Sequence, residues 1–223
     1  MDTAIQQARA QIAEIGALMY ERQLTDAGGG NISVRVGDVV CLSPRYSGQR
    51  RRWQLRPEDV LVVDRTGKKL EGEGDLSRET KVHLKLHNTY TDAGTAVIHA
   101  HAQYILVFAA MNRPIPPVLE QTVKFGEIQV VDYAPAHSQD LADNIANALK
   151  GQEARISKQA AGAIAPWHGL FLMGKDLDMA YDAVERINSN AQILLMAQQY
   201  LGTQDWLMAE RAALAAAMGK YEK

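Results

Sequence analysis

Two histidines stand two positions apart, His99 and His101, in the segment Gly94-Thr-Ala-Val-Ile-His-Ala-His. That run reads as a buried strand, and side chains at i and i+2 of a strand point to one face, so both imidazoles can reach a single ion. A zinc ion in a catalytic site usually takes about three protein ligands and keeps one position open for water or substrate. The third ligand would be remote in sequence. His168 is the best candidate, because it follows an apolar strand and precedes Gly169, which permits close approach. His83 and His87 are an alternative pair, four apart on a predicted helix and again on one face. That pair lacks the H-E-x-x-H glutamate that would place a base between its members. Both pairs are also open to a plainer reading as packed or surface imidazoles, His83 and His87 more so than His99 and His101.

Glu79 is the acid to watch. Close to a divalent cation without ligating it, a carboxylate can shuttle protons; otherwise, at a helix start, it simply interacts with the helix dipole for about 0.3 to 1 kcal/mol. Gly28-Gly-Gly-Asn31 could turn backbone N–H groups toward an anion. It matches neither G-x-G-x-x-G nor the P-loop, and Gly67-Lys-Lys-Leu fails too because no Ser or Thr follows the lysine. Arg45 with Arg50, Arg51 and Arg52 could clamp a phosphate, or be no more than a solvated run.

The elements that must position these groups follow from periodicity. Residues 4–22 carry Ile5, Ala8, Ile12, Ile15, Leu18 and Met19 at helical spacing. Alternation through Ile32, Val34 and Val36, a Gly37-Asp38 turn and the run Val39 to Leu42 predict a β-hairpin. Residues 45–56 read as a basic loop and 59–64 as a strand. A helix is expected from about residue 77, with Ser77 as its capping candidate. The His-Ala-His strand leads into a helix over 104–111 and the breaker Pro114-Ile-Pro-Pro117. Residues 128–133 are expected to form a strand, and 138–149 a helix capped by Ser138. Residues 161–165 and 170–173 read as a strand pair around Pro166-Trp-His-Gly169, and helices over 177–201 and 204–219 finish the chain. Strands and helices mix without a βαβ repeat or a linker, which points to one domain over 1–223 of α/β or α+β class with a mixed sheet.

Composition narrows the function. Of 223 residues, Lys and Arg total 24 against 26 Asp and Glu, so no basic surplus argues for nucleic acid or a membrane surface as partner. A single cysteine, Cys41, excludes an intrachain disulfide framework and a Cys-rich zinc site. The start, MDTAIQQARA, lacks a signal pattern, and the apolar stretch 95–111 is broken by its histidines and is short of the roughly 20 residues of a membrane helix. A soluble, cytoplasmic protein is expected.

Gly-Gly-Asn-Ile-Ser-Val-Arg (29–35), Ser-x-Glu (77–79), His-Ala-His (99–101) and His-Gly (168–169), in this order, resemble the class II aldolase/adducin family over about residues 5–200, and most closely its sugar-phosphate enzymes. The resemblance implies a three-layer α/β/α sandwich around a mostly antiparallel mixed sheet. It implies zinc on His99, His101 and His168, with another divalent metal as an alternative, and Glu79 as catalytic acid/base. It also implies homotetramers of fourfold symmetry with sites near subunit interfaces. Phosphate-binding positions of the family fall on Gly30, Asn31, Ser47, Gly48 and Ser77. A second family serine is Arg78 here, and the turn carrying the arginines is longer. Glu120 falls where a relative has a catalytic tyrosine. A glutamate there resembles the family's dehydratases, but those carry cysteine at the position of Glu79. His137 replaces a glycine common in relatives and is assigned no role. Tyr200 and Tyr221 are C-terminal candidates for completing a neighbouring site. The implied activity is cleavage of a ketose 1-phosphate to dihydroxyacetone phosphate and an aldehyde through a metal-stabilised enediolate. Epimerisation of a pentulose phosphate, dehydration, decarboxylation or a non-catalytic adducin-type interaction module are the alternatives.

Overall fold

A strand with apolar residues at both parities serves two buried faces, and the runs 96–98 and 170–173 are of that kind. The computed structural model describes residues 3–201 and 205–219. Helix α1 (Thr3–Glu21) precedes the hairpin β1 (Asn31–Val36) and β2 (Val39–Leu42). A short α2 (Ser47–Arg51), a 3-10 turn, β3 (Leu61–Asp64) and β4 (Lys69–Glu71) lead to α3 (Thr80–Thr89) and β5 (Ala96–Ala100). Then come α4 (Gln103–Met111), α5 (Glu120–Val123), α6 (Gln139–Ala148) and α7 (Glu153–Lys158). The hairpin β6 (Ala160–Ala165) and β7 (Gly169–Gly174) precedes α8 (Leu177–Leu201) and α9 (Asp205–Met218). Tyr221 and the side chain of Tyr200 lie outside the described residues.

The sheet runs β4-β3-β2-β1-β5-β7-β6, and every named pair in it is antiparallel. One face, with Ile32, Ile98, Leu170 and Leu172, buries against α1, α4 and α8 through Ile12, Ile105 and Val184. The other, with Val97, Phe171 and Met173, buries against α3, α6 and α7 through Leu86, Leu141 and Ile156. This is the expected α/β sandwich, with helices on both sides of the sheet. No helix among the described residues is long and apolar enough to cross a membrane.

Three expectations are corrected. Residues 128–133 do not form a strand: Val130 makes one parallel bridge to Ile164, and the Asp132 carbonyl is then claimed by the Asn144 side chain before the chain turns at Pro135. Helix α3 begins at Thr80 with Glu79, not Ser77, at the capping position; the Ser77 carbonyl instead accepts from the Thr80 N–H and hydroxyl. The basic loop contains α2, because Gly48 lets that turn press onto the glycine loop, where a Cβ would lie 2.4 Å from the Asp26 carbonyl oxygen. Ser138 does cap α6, its hydroxyl accepting from the Leu141 N–H.

Candidate active site

The register sets the site. Asn31 faces His99 across β1 and β5, and His99 faces Phe171 across β5 and β7. Opposed residues of an antiparallel pair share a face, so Asn31, His99 and Phe171 all lie on the α3 side. The rings of His99 and Phe171 stack with centroids 4.0 Å apart. His101 lies one residue past β5, and extended backbone keeps it on the same side as His99. His168 comes from the β6–β7 turn. Gly169 beside it presses against β5, where a Cβ would lie 2.6 Å from the Ala100 carbonyl oxygen and 3.2 Å from the His99 ring. The glycine therefore performs the close approach expected of it.

His99, His101 and His168 bring three candidate ligand atoms within 4.8 Å of one another. The His99 Nδ1 faces the Leu170 carbonyl at 3.0 Å and the His101 Nδ1 faces the Asp26 carboxylate at 3.4 Å. Each of these acceptors suits an Nδ1–H, and a ring in that tautomer presents an Nε2 lone pair. Those two Nε2 atoms stand 3.1 Å apart. Two lone pairs at that distance repel unless a cation lies between them, and zinc–nitrogen bonds of about 2.0–2.1 Å at a tetrahedral angle put ligand nitrogens about 3.4 Å apart. Burial, with the neighbouring His101 and His168, holds His99 well below the usual imidazole range; burial pushes His168 down to about 4. These two rings stay neutral at physiological pH, as metal ligands must. The donor set fits a divalent cation.

Glu79 is buried beside the triad, its Oε1 3.8 Å from His168 Nε2. Burial pushes its carboxyl up to about 7, while the His137 backbone N–H and the charge of Arg78 pull the other way. Its Oε2 has no hydrogen-bond partner among the described residues, and neither do Asn31 Oδ1 and Arg45 Nε. All three residues line one cleft of about 350 Å³. Unpaired buried polar atoms gathered around one opening are what a bound polar ligand would satisfy.

The same cleft is lined by Gly30, Asn31, Ser47, Gly48, Ser77 and Arg78 together with the three histidines. Glu120 is exposed at the start of α5 and is not among the lining residues. Of the arginine run, Arg45 reaches the cleft, Arg50 lies over the Tyr46 ring and Arg51 pairs with Asp59. The amides of Gly28 and Gly29 are not free for an anion, because the Asp26 Oδ1 accepts both, at 2.8 and 2.7 Å. Sequence reasoning missed Asp26 and the His137 amide. The first carried a signal, an acid directly before a glycine run; the second is a backbone group and carried none. His83 and His87 are taken by a different partner: both rings bond the Ser33 hydroxyl, at 2.7 and 2.8 Å.

A two-sided antiparallel sandwich that gathers three imidazoles beside a buried, easily protonated carboxyl has a site that could hold a divalent cation next to an acid or base. Residues 10–195 match the model of the family described as Class II Aldolase and Adducin N-terminal domain, and the chain belongs to that family. It is 30% identical over 186 residues to an L-fuculose phosphate aldolase of Methanococcus maripaludis, covering 82% of this chain and 93% of that one. It is 28% identical to a 3-oxo-tetronate 4-phosphate decarboxylase of Haemophilus influenzae, covering 84% and 86%. Among solved structures, an L-fuculose 1-phosphate aldolase superposes with a TM-score of 0.77 at 26% identity, covering 90% and 89%. With relatives named as aldolases, the chain is an enzyme of the lyase type, and class II aldolases depend on a metal.

Proposed function

We propose that this chain is a zinc-dependent aldolase that cleaves a phosphorylated ketose into dihydroxyacetone phosphate and an aldehyde. In this reading His99, His101 and His168 hold the ion, which as a Lewis acid offsets negative charge developing on substrate oxygens. Glu79 carries the proton: a carboxyl near pH 7 both gives and takes one at physiological pH, and its free Oε2 is the atom that does so. Gly30, Asn31, Ser47, Gly48 and Ser77 receive the phosphate with Arg78 at their edge, through the donors these residues keep available. Glu120 is exposed outside the cleft, so it acts only across a subunit boundary, which suits a homotetramer with interfacial sites. A single domain and a cytoplasmic location complete the proposal, in keeping with one buried free cysteine.

The observation that carries the reading is the one cleft that joins the imidazole triad, the Glu79 carboxyl and the polar residues Asn31, Ser47 and Ser77. The test is a screen of phosphorylated ketoses with and without chelator, read by product. Dihydroxyacetone phosphate with an aldehyde, lost on chelation, supports the aldolase. An isomeric pentulose phosphate, or turnover that survives complete metal removal, overturns it. Decarboxylation is the second reading, favoured by the likeness to the 3-oxo-tetronate 4-phosphate enzyme, and released carbon dioxide would replace the first with it.

A further inference from the structure

Glu79 and Asp26 are the two carboxylates that face rings of the triad among the described residues, Glu79 at His168 and Asp26 at His101. Asp26 stands outside every role assigned so far. Its Oδ1 accepts the backbone N–H groups of Gly28 and Gly29, and its Oδ2 faces His101 Nδ1. The aspartate is itself anchored: Trp53 Nε1–H donates to its carbonyl at 3.4 Å, and Gly48 of α2 packs onto that same oxygen. The glycine loop it holds lies flat on the His101 ring, since a Cβ on Gly29 would come 1.9 Å from the ring's Cε1. One residue thus meets three parts: its carboxylate faces the loop amides and the imidazole, and its backbone carbonyl meets the α2 turn.

Resting on the metal-site reading above, we propose that Asp26 is the positioning residue of the metal centre. It holds His101 in the Nδ1–H tautomer with Nε2 aimed at the ion, and it fixes the glycine loop against the same ring. The chemistry is that of a carboxylate accepting the outer N–H of a metal-bound imidazole, which orients the ring and raises its basicity. A loose ring would sample orientations in which Nε2 misses the other two ligands.

Asp26→Asn is the sharpest test. Two N–H donors, from Gly28 and Gly29, demand the amide oxygen, so the Asn NH2 is turned toward His101 Nδ1. A donor there favours the Nε2–H tautomer, which cannot ligate. Zinc affinity, read by competition with a chromophoric chelator in the absence of any substrate, is expected to fall about 10- to 100-fold. Long-range nitrogen–proton NMR of the metal-free protein is expected to report His101 moving from the Nδ1–H to the Nε2–H form. Asp26→Ala removes the acceptor without adding a donor and is expected to lose affinity to a smaller extent. Zinc affinity within twofold of wild type in both variants, or an unchanged His101 tautomer in Asp26→Asn, overturns the proposal. A wild-type chain that binds no zinc would instead overturn the metal-site reading itself, so the two failures are distinguishable.

Discussion

The chain holds two histidine clusters on the same side of one sheet, and they have opposite fates. His83 and His87 are four apart on α3, wholly buried, and share the Ser33 hydroxyl. That hydroxyl has one proton, so it donates to one ring and accepts from the other. Their outer nitrogens, His83 Nε2 and His87 Nδ1, have no partner among the described residues and face no opening. Burial pushes His83 down to about 3 and, with the nearby His83, Arg35 and Arg65, holds His87 well below the usual range. Burial likewise holds His99 well below the usual range and pushes His168 down to about 4, but the outer nitrogens of His99 and His101 face Leu170 and Asp26, and all three rings line one cleft. Two imidazoles on one face are not a metal site. Convergent ring nitrogens, outer acceptors on His99 and His101 and an open side are what could hold an ion.

His101→Ala should break the difference most completely, abolishing both bound zinc and turnover, whereas wild-type zinc content in that variant would erase the distinction between the clusters. Glu79→Gln comes next. It should keep zinc and lower kcat by about 10²- to 10⁴-fold, the usual worth of a positioned acid or base; kinetics on a metal-replete sample decide it. Because the folded-state pKa of Glu79 is raised, its neutral form is favoured by the fold. The stability this group contributes to the metal-free protein is complete below about 4.5 and is lost as pH rises through about 7. In the apoprotein, Glu79→Gln should therefore raise Tm at pH 8 and leave it unchanged at pH 4.

A subtler effect separates triad from ordinary histidines by acid. At about pH 5.5 an unperturbed imidazole is about nine-tenths protonated, yet His168 is depressed to about 4 and His99 lies well below its usual value. Zinc should stay bound at that pH and leave only as the solution approaches pH 4; metal analysis after dialysis across the range would show release near pH 6 if burial does not protect these rings. The smallest effect belongs to the other cluster. Ser33→Ala leaves two buried ring nitrogens without a partner, at a cost of about 2 to 4 kcal/mol, and should lower Tm with zinc content unchanged. The depressed pKa of His83 makes its stability complete above about 6.5 and lost as pH falls toward about 3, so thermal melts of wild type should decline over that interval.

Much of this was legible in the chain. Helical spacing gave α1, alternation gave the β1–β2 hairpin, and Ser138 announced the start of α6, because each is a local property of neighbouring residues. The His99–His101 pair was legible for the same reason, and Gly169 advertised the close approach that brings in His168. What stayed hidden depends on docking. Ser33 meets His83 and His87 across 50 and 54 residues, and Asp26 meets His101 across 75, with no local pattern to join them. The segment 128–133 had the composition of a strand, but forming one needs a partner edge along its whole length. The segment has only two isolated bridges, Ile128 to Ile115 and Val130 to Ile164, on different partners.

The central claim is that three imidazoles from two separate stretches of the chain hold one divalent ion. Zinc per chain, measured after supplying the metal and dialysing, tests it in a single comparison of wild type, His168→Ala and Ser33→Ala. The account predicts one ion, none and one. An empty wild type, or a His168→Ala variant that keeps its zinc, contradicts it.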